Sequence, residues 1–114
     1  MKIALISDVH GNLEALDSVF KDIDSQGVEN IHFLGDAVGY GSNPNECLKK
    51  ISKLCDIKLL GNHDYAALGL ESTRDFNETA KKSMEWTQEN LSKKSIKILS
   101  SFELETEFLD SHLV

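Results

Sequence analysis

Three short apolar runs, each stopping at a cluster of carboxylate, imidazole or amide side chains, constrain this sequence most. KIALIS at 2–7 leads into Asp8-Val9-His10, NIHFL at 30–34 into Gly35-Asp36, and DIKLL at 56–60 into Gly61-Asn62-His63-Asp64. Apolar runs this short, bounded by polar residues, read as buried strands. Helical repeats separate them. Asn12 is an N-cap, Leu13, Leu16, Phe20 and Ile23 recur at helical spacing, and Gly27 stops the pattern. Asn43 caps a second helix with Pro44 at its first position, and Cys47, Leu48, Ile51 and Leu54 form its buried face. The order β-α-β-α-β implies parallel strands joined by right-handed crossovers.

In an open parallel sheet, ligands sit beyond the carboxyl ends of the strands. Neighbouring strands lie about 4.8 Å apart, so side chains at three adjacent ends can converge. Turn preference explains Asp and Asn one at a time. It does not explain why all three strands end in ligand-type residues. Asp8 and Asp36 offer anionic oxygen, His10 a ring nitrogen and Asn62 a carbonyl oxygen. Carboxylates held close together repel unless a cation separates them. With two cations, a central carboxylate such as Asp36 can bridge both, and metals about 3.5–4 Å apart can activate a shared water and clamp an in-line displacement. Mixed nitrogen and oxygen donors suit manganese, iron, zinc or nickel better than calcium.

The stretches SDVHGN, LGDAVGYGSNPNEC and LGNHDYAALG resemble the calcineurin-like metallophosphoesterases, and within them a small prokaryotic subgroup compared with diadenosine tetraphosphatases. The resemblance implies an αββα sandwich and a site holding two divalent metal ions. It implies that Asp8 and His10 bind the first metal, Asp36 bridges, and Asn62 binds the second. His63 would bind the phosphoryl group or protonate the leaving oxygen, with Asp64 orienting its ring. The substrate would be a phosphomonoester, a phosphodiester or a dinucleoside polyphosphate.

That family's pattern continues with a histidine after a further apolar strand and then a Gly-His-x-His motif, and neither occurs in these 114 residues. The expectation is therefore a single, truncated domain over 1–114: the N-terminal half of the sandwich, a parallel core followed by helices and a late strand. One metal, or two weakly held, and weak or no turnover are expected of the chain alone. A complementing C-terminal polypeptide or a second copy of the chain would be a fitting partner. The alternative is a non-catalytic metal- or partner-binding module. Strands apolar on both faces, with the crossover helices on one, predict an exposed apolar patch.

Smaller features carry smaller expectations. Free N–H groups at Gly11 and Asn12 could face a phosphate, although Asn12 also reads as a plain helix cap. Gly35 and Gly61 permit close backbone approach or a turn. Tyr40 either lines a substrate pocket or packs within its loop, and His32 reads as a packed strand residue. A helix over about 77–91 would bury Ala80, Met84 and Leu91, with Trp86 at a helix–helix contact. A shorter helix follows Ser92 through Ile96 and Leu99. FELETEFLD alternates as a strand, with Phe102, Leu104, Thr106 and Phe108 on one face and Glu103, Glu105 and Glu107 on the solvent side. His112 is given no ligand role.

Net charge of −7 argues against a nucleic-acid partner held through its phosphates. Asp8 and His10 interrupt the first apolar run too early for a signal peptide, and no run reaches the roughly 20 residues of a membrane span. Cys47 and Cys55 form no Cys-x-x-Cys pair, and a cytoplasmic location is expected. A nucleotide-binding Rossmann domain is excluded, because Gly-x-Gly-x-x-Gly is missing and a carboxylate stands where pyrophosphate would sit.

Overall fold

The computed structural model describes residues 2–108 and 111–113, with side chains through Thr106. Strands β1 (Ile3–Ile6), β2 (Asn30–Phe33) and β3 (Ile57–Lys58) form a parallel sheet in the order β1-β2-β3. Ile3 is paired with Asn30 and Ile6 with Phe33, while His32 and Phe33 register with Ile57 and Lys58. Helix α1 (Leu13–Ser25) links β1 to β2, and α2 (Pro44–Leu54) links β2 to β3. The βαβαβ reading is therefore what the chain forms.

The helices start where their caps predict. Asn12 accepts from the Ala15 N–H at 3.0 Å. Asn43 begins α2 without a side-chain cap bond and instead donates to Glu46. Beyond β3 come α3 (Asn62–Ala67), α4 (Glu78–Asn90) and α5 (Lys93–Ser100), the last two capped by Asn77 and Ser92. Helix α3 is not foreshadowed by apolar spacing; the polar run Asn62-His63-Asp64 is its first turn. Helix α5 packs on α2, and α4 on α3. Two-way bonds between Asn45 and the α4–α5 turn, and one from Gln88 to the Ala66 carbonyl, fix these helices.

The core gathers Leu16, Phe33, Val38, Leu48, Ile51, Met84, Leu99 and Phe102, all buried. Phe33 and Phe102 meet edge to face, with centroids 6.0 Å apart. Cys47 and Cys55 are buried free thiols, pushed up to about 12 by burial, so they act as small hydrophobes. His32 is buried in β2, as expected.

Several expectations are corrected. Leu54 at the end of α2 is exposed, and so is Trp86. The late segment is not one alternating strand: Phe102 turns into the core, Leu104 is exposed, and Glu103 bridges to Leu59 in parallel, prolonging the sheet beside β3. Only then do β4 (Thr106–Phe108) and β5 (Ser111–Leu113) pair as an antiparallel ribbon. The side chains of Glu107, Phe108 and His112 lie outside the described set. Some apolar surface is exposed, beside α1 at the sheet edge and not on the face opposite the crossover helices. Strand β1 is a sheet edge, Leu5 on it is 55% exposed, and with Val19 it lines a 330 Å³ groove.

Candidate metal centre

The loops after β1 and β2 do not separate when their strands end. The parallel ladder carries on through Asp8 N–H to Gly35 O (2.9 Å), His10 N–H to Asp36 O (3.0 Å) and Gly11 N–H to Ala37 O (2.8 Å). This continuation sets Asp8 and His10 beside Asp36. It also uses up the Gly11 N–H, and the Asn12 N–H donates to Val9 O, so neither amide is free for a phosphate as expected. The side-chain oxygen of Asn12 is committed to its cap.

Asp8, His10 and Asp36 all have left-handed backbone, with φ of 58°, 49° and 64°. Such conformations cost about 1–3 kcal/mol each and persist where the surroundings over-determine them. Here the continued ladder does so.

From β3 the third loop is drawn in by Asp64. Its buried carboxylate accepts from the N–H groups of Asp36 (2.8 Å), Ala37 (2.8 Å), Val38 (3.2 Å) and Gly61 (2.9 Å). Burial pushes this carboxyl up to about 6, against the pull of those donors. Asp64 thus clamps the second loop to the third. The expected role, orienting the His63 ring, is not the one its oxygens perform.

Gly61 makes the loop approach possible. A Cβ there would stand 2.1 Å from Asp36 Oδ1. That oxygen accepts from the His63 N–H at 3.1 Å, which leaves Oδ2 for the centre.

Around Asp36 Oδ2, His10 Nε2 lies at 3.9 Å and His63 Nδ1 at 3.5 Å. Donor atoms of His10, Asp36 and His63 all fall within 4.8 Å of one another. Asp8 Oδ1 approaches His10 Nε2 to 3.3 Å from a more exposed position, and the Ser7 hydroxyl holds the Asp8 carboxyl below its usual range, helped by His10. Asn62, exposed at the head of α3, follows directly after Gly61.

The tautomer of His10 follows from its partner. Its Nδ1 lies 3.0 Å from the Val38 carbonyl, which can only accept, so Nδ1 carries a proton. Nε2 then faces oxygens of Asp8 and Asp36, an arrangement able to hold a metal ion. Carbonyl support for a ligating histidine is a recurrent outer-shell device. His63 adds a second sign: both its ring nitrogens are buried and lack a hydrogen-bond partner among the described residues. Its ring is packed by His10, Phe76 and Tyr40, at 4.8, 5.0 and 5.3 Å. The nitrogen and carboxylate donor set fits a divalent transition ion.

Sequence reasoning named His10, Asp36 and His63, whose donor atoms come together here, and Asp8 beside His10. It missed the Val38 carbonyl, because a backbone acceptor leaves no residue signature, and Phe76, which lies outside any periodic segment.

A calcineurin-like phosphoesterase family profile matches residues 1–112. The chain belongs to that family. It is 46% identical over 102 residues to an uncharacterized protein of Methanocaldococcus jannaschii, a match covering 90% of this chain and 42% of that one. A crystal structure of a metallophosphoesterase from Sphaerobacter thermophilus superposes with a TM-score of 0.78 at 38% identity, over 95% of this chain and 44% of that one. A candidate diadenosine tetraphosphatase shares the fold, with a TM-score of 0.68 at 22% identity, over 88% of this chain and 42% of its own. The chain therefore spans less than half the length of these relatives. Among the described residues no helix is long and apolar enough to cross a membrane.

Proposed function

We propose that this chain carries the metal-holding part of a phosphoesterase site that hydrolyses phosphomonoesters, phosphodiesters or dinucleoside polyphosphates. Asp8, His10, Asp36 and Asn62 would hold the metal, and Asp36 is the carboxylate that two ions would share. The observation that carries the reading is His10, whose Nε2 faces Asp8 and Asp36 while Nδ1 is bound to Val38 O. A divalent ion at such a site supplies Lewis acidity and a lowered pKa for water. The protein's own share is to hold the carboxylates together, to place His63 against the phosphoryl group or leaving oxygen, and to keep Asp36 and His63 in register through Asp64. Asn12 lies on the rim of the cavity beside Asp8 and His10 and, with its oxygen committed to the cap, would meet substrate only through its side-chain NH2. The buried free cysteines support a reducing, cytoplasmic setting.

Equilibrium dialysis against Mn²⁺, followed by hydrolysis of bis(p-nitrophenyl) phosphate, tests the proposal. Saturable binding that is lost in Asp36→Asn and His10→Gln is expected, with weak turnover. Absence of saturable binding would overturn it. Stoichiometric metal without any turnover would favour a non-catalytic metal-binding module, with hydrolysis requiring a complementing polypeptide or a second copy.

A further inference from the structure

Four non-glycine residues have positive φ among the described residues, and three of them are Asp8, His10 and Asp36. The fourth is Tyr40, with φ of 67°. For a bulky residue this conformation is an outlier, whereas aspartate visits it more readily. Packing does not repay the strain in full, since Tyr40 is 50% exposed. A glycine would suit the turn better.

The ring is nonetheless well placed. It meets His10 edge to face at 5.2 Å and lies tilted against His63 at 5.3 Å. The Tyr40 N–H is held by the Ser83 hydroxyl of α4. Gly39, just before it, lets the loop press on the same histidine, since a Cβ there would meet His63 Cδ2 at 2.9 Å. The exposed part of Tyr40 opens on a cavity of 510 Å³, lined also by Asp8, His10, Asn12 and Ser42. An aromatic side chain thus stands half-free beside the metal-capable histidines, on a backbone that resists it.

We propose that Tyr40 is a specificity-determining residue, stacking on a flat aromatic ring in the organic part of the phosphoester, a nucleobase or an aryl group. The proposal rests on the phosphoesterase reading and adds the substrate's ring and the residue that selects it. Stacking needs only a π face, so it discriminates ring-bearing from ringless esters and is tolerant among rings. The phosphate is held by the centre in either case. The signature of Tyr40 is therefore the ratio of the two affinities.

The test is equilibrium dialysis of the chain in Mn²⁺ with two matched pairs: AMP against ribose 5-phosphate, and phenyl phosphate against methyl phosphate. Wild type is expected to favour the ring-bearing member by about tenfold, the scale of one aromatic stack. Tyr40→Phe should keep that preference and Tyr40→Ala should erase it, bringing the ratio of AMP to ribose 5-phosphate affinity to about one. Tyr40→Gly, which accepts the turn without strain, repeats the measurement should the alanine variant fold poorly. A preference confined to the AMP pair marks a nucleobase site, and one seen in both pairs marks a general aryl site. Equal affinities in wild type, or a preference surviving in Tyr40→Ala and Tyr40→Gly, would overturn the proposal. Binding of none of the four esters would remove the phosphoester reading, and this inference with it.

Discussion

Gly61→Ala would place a methyl group 2.1 Å from Asp36 Oδ1 and 2.5 Å from the Asp36 amide nitrogen. Backbone conformation does not enter, because Gly61 has φ of −90° and ψ of 176°, which any residue adopts. The effect is purely steric. Ordinary contact begins near 3.4 Å, so the carboxylate or the third loop must retreat by more than 1 Å. Overpacking of this kind costs about 1–3 kcal/mol. With a urea slope of about 1–3 kcal/mol per molar, the unfolding midpoint should fall by about 1 M. The retreat also takes Asp36 Oδ2 away from His10 and His63, now 3.9 and 3.5 Å distant. Disturbing the support of a metal site commonly costs about 10–100-fold in affinity, and a loss of that order is expected in Mn²⁺ dialysis. An alanine variant that unfolds at the wild-type urea concentration and binds Mn²⁺ equally well would refute the steric account of the centre.

Other outcomes are expected elsewhere. The Asp56 carboxylate accepts from Asn30 at 3.0 Å and from the Ile31 N–H at 3.3 Å, and the Asn30 bond holds it below its usual range. A lowered folded value means stability present above the unfolded value of 3.8 and lost as pH falls below it. Asp56→Asn should therefore show a shallower loss of stability than wild type in acid denaturation below that pH. Phe33→Ala, at a fully buried site against Phe102, should cost about 3–5 kcal/mol in urea unfolding with the sheet topology retained. Leu5→Lys should abolish most hydrophobic-dye fluorescence of the native chain, since Leu5 is the most exposed apolar residue of β1. Unchanged fluorescence would place the dye site elsewhere.

Most of the scaffold could be read from the sequence because it rests on local signals. Asn12, Asn77 and Ser92 announce their helices through bonds made within three residues. The three apolar runs become strands because each needs only to be buried. The failures occur where distant backbone decides. Asn62-His63-Asp64 carries the composition of a turn, and it becomes α3 because Asp64 bonds amides of another loop and of Gly61. FELETEFLD has strand periodicity, yet Phe102 packs edge to face on Phe33 in the core and the alternation breaks at Leu104, which is exposed. In the centre, donor identity was legible residue by residue. Which atom faces which was not, since His10 owes its tautomer to a carbonyl 28 positions away.

The ladder that runs on past β1 and β2 turns the centre into a matter of register. His10 reaches Asp36 because its N–H is bonded to the Asp36 carbonyl, and a one-residue slip would present Val9 or Gly11 in its stead. Single exchanges along 8–11 or 35–37 are constrained too, since a Cβ at Gly11 would meet Gly41 O at 2.8 Å and one at Gly35 the Gly61 backbone at 2.9 Å. A lone codon gained or lost there destroys the alignment outright, so descendants of this chain should keep the length of these loops as strictly as their glycines.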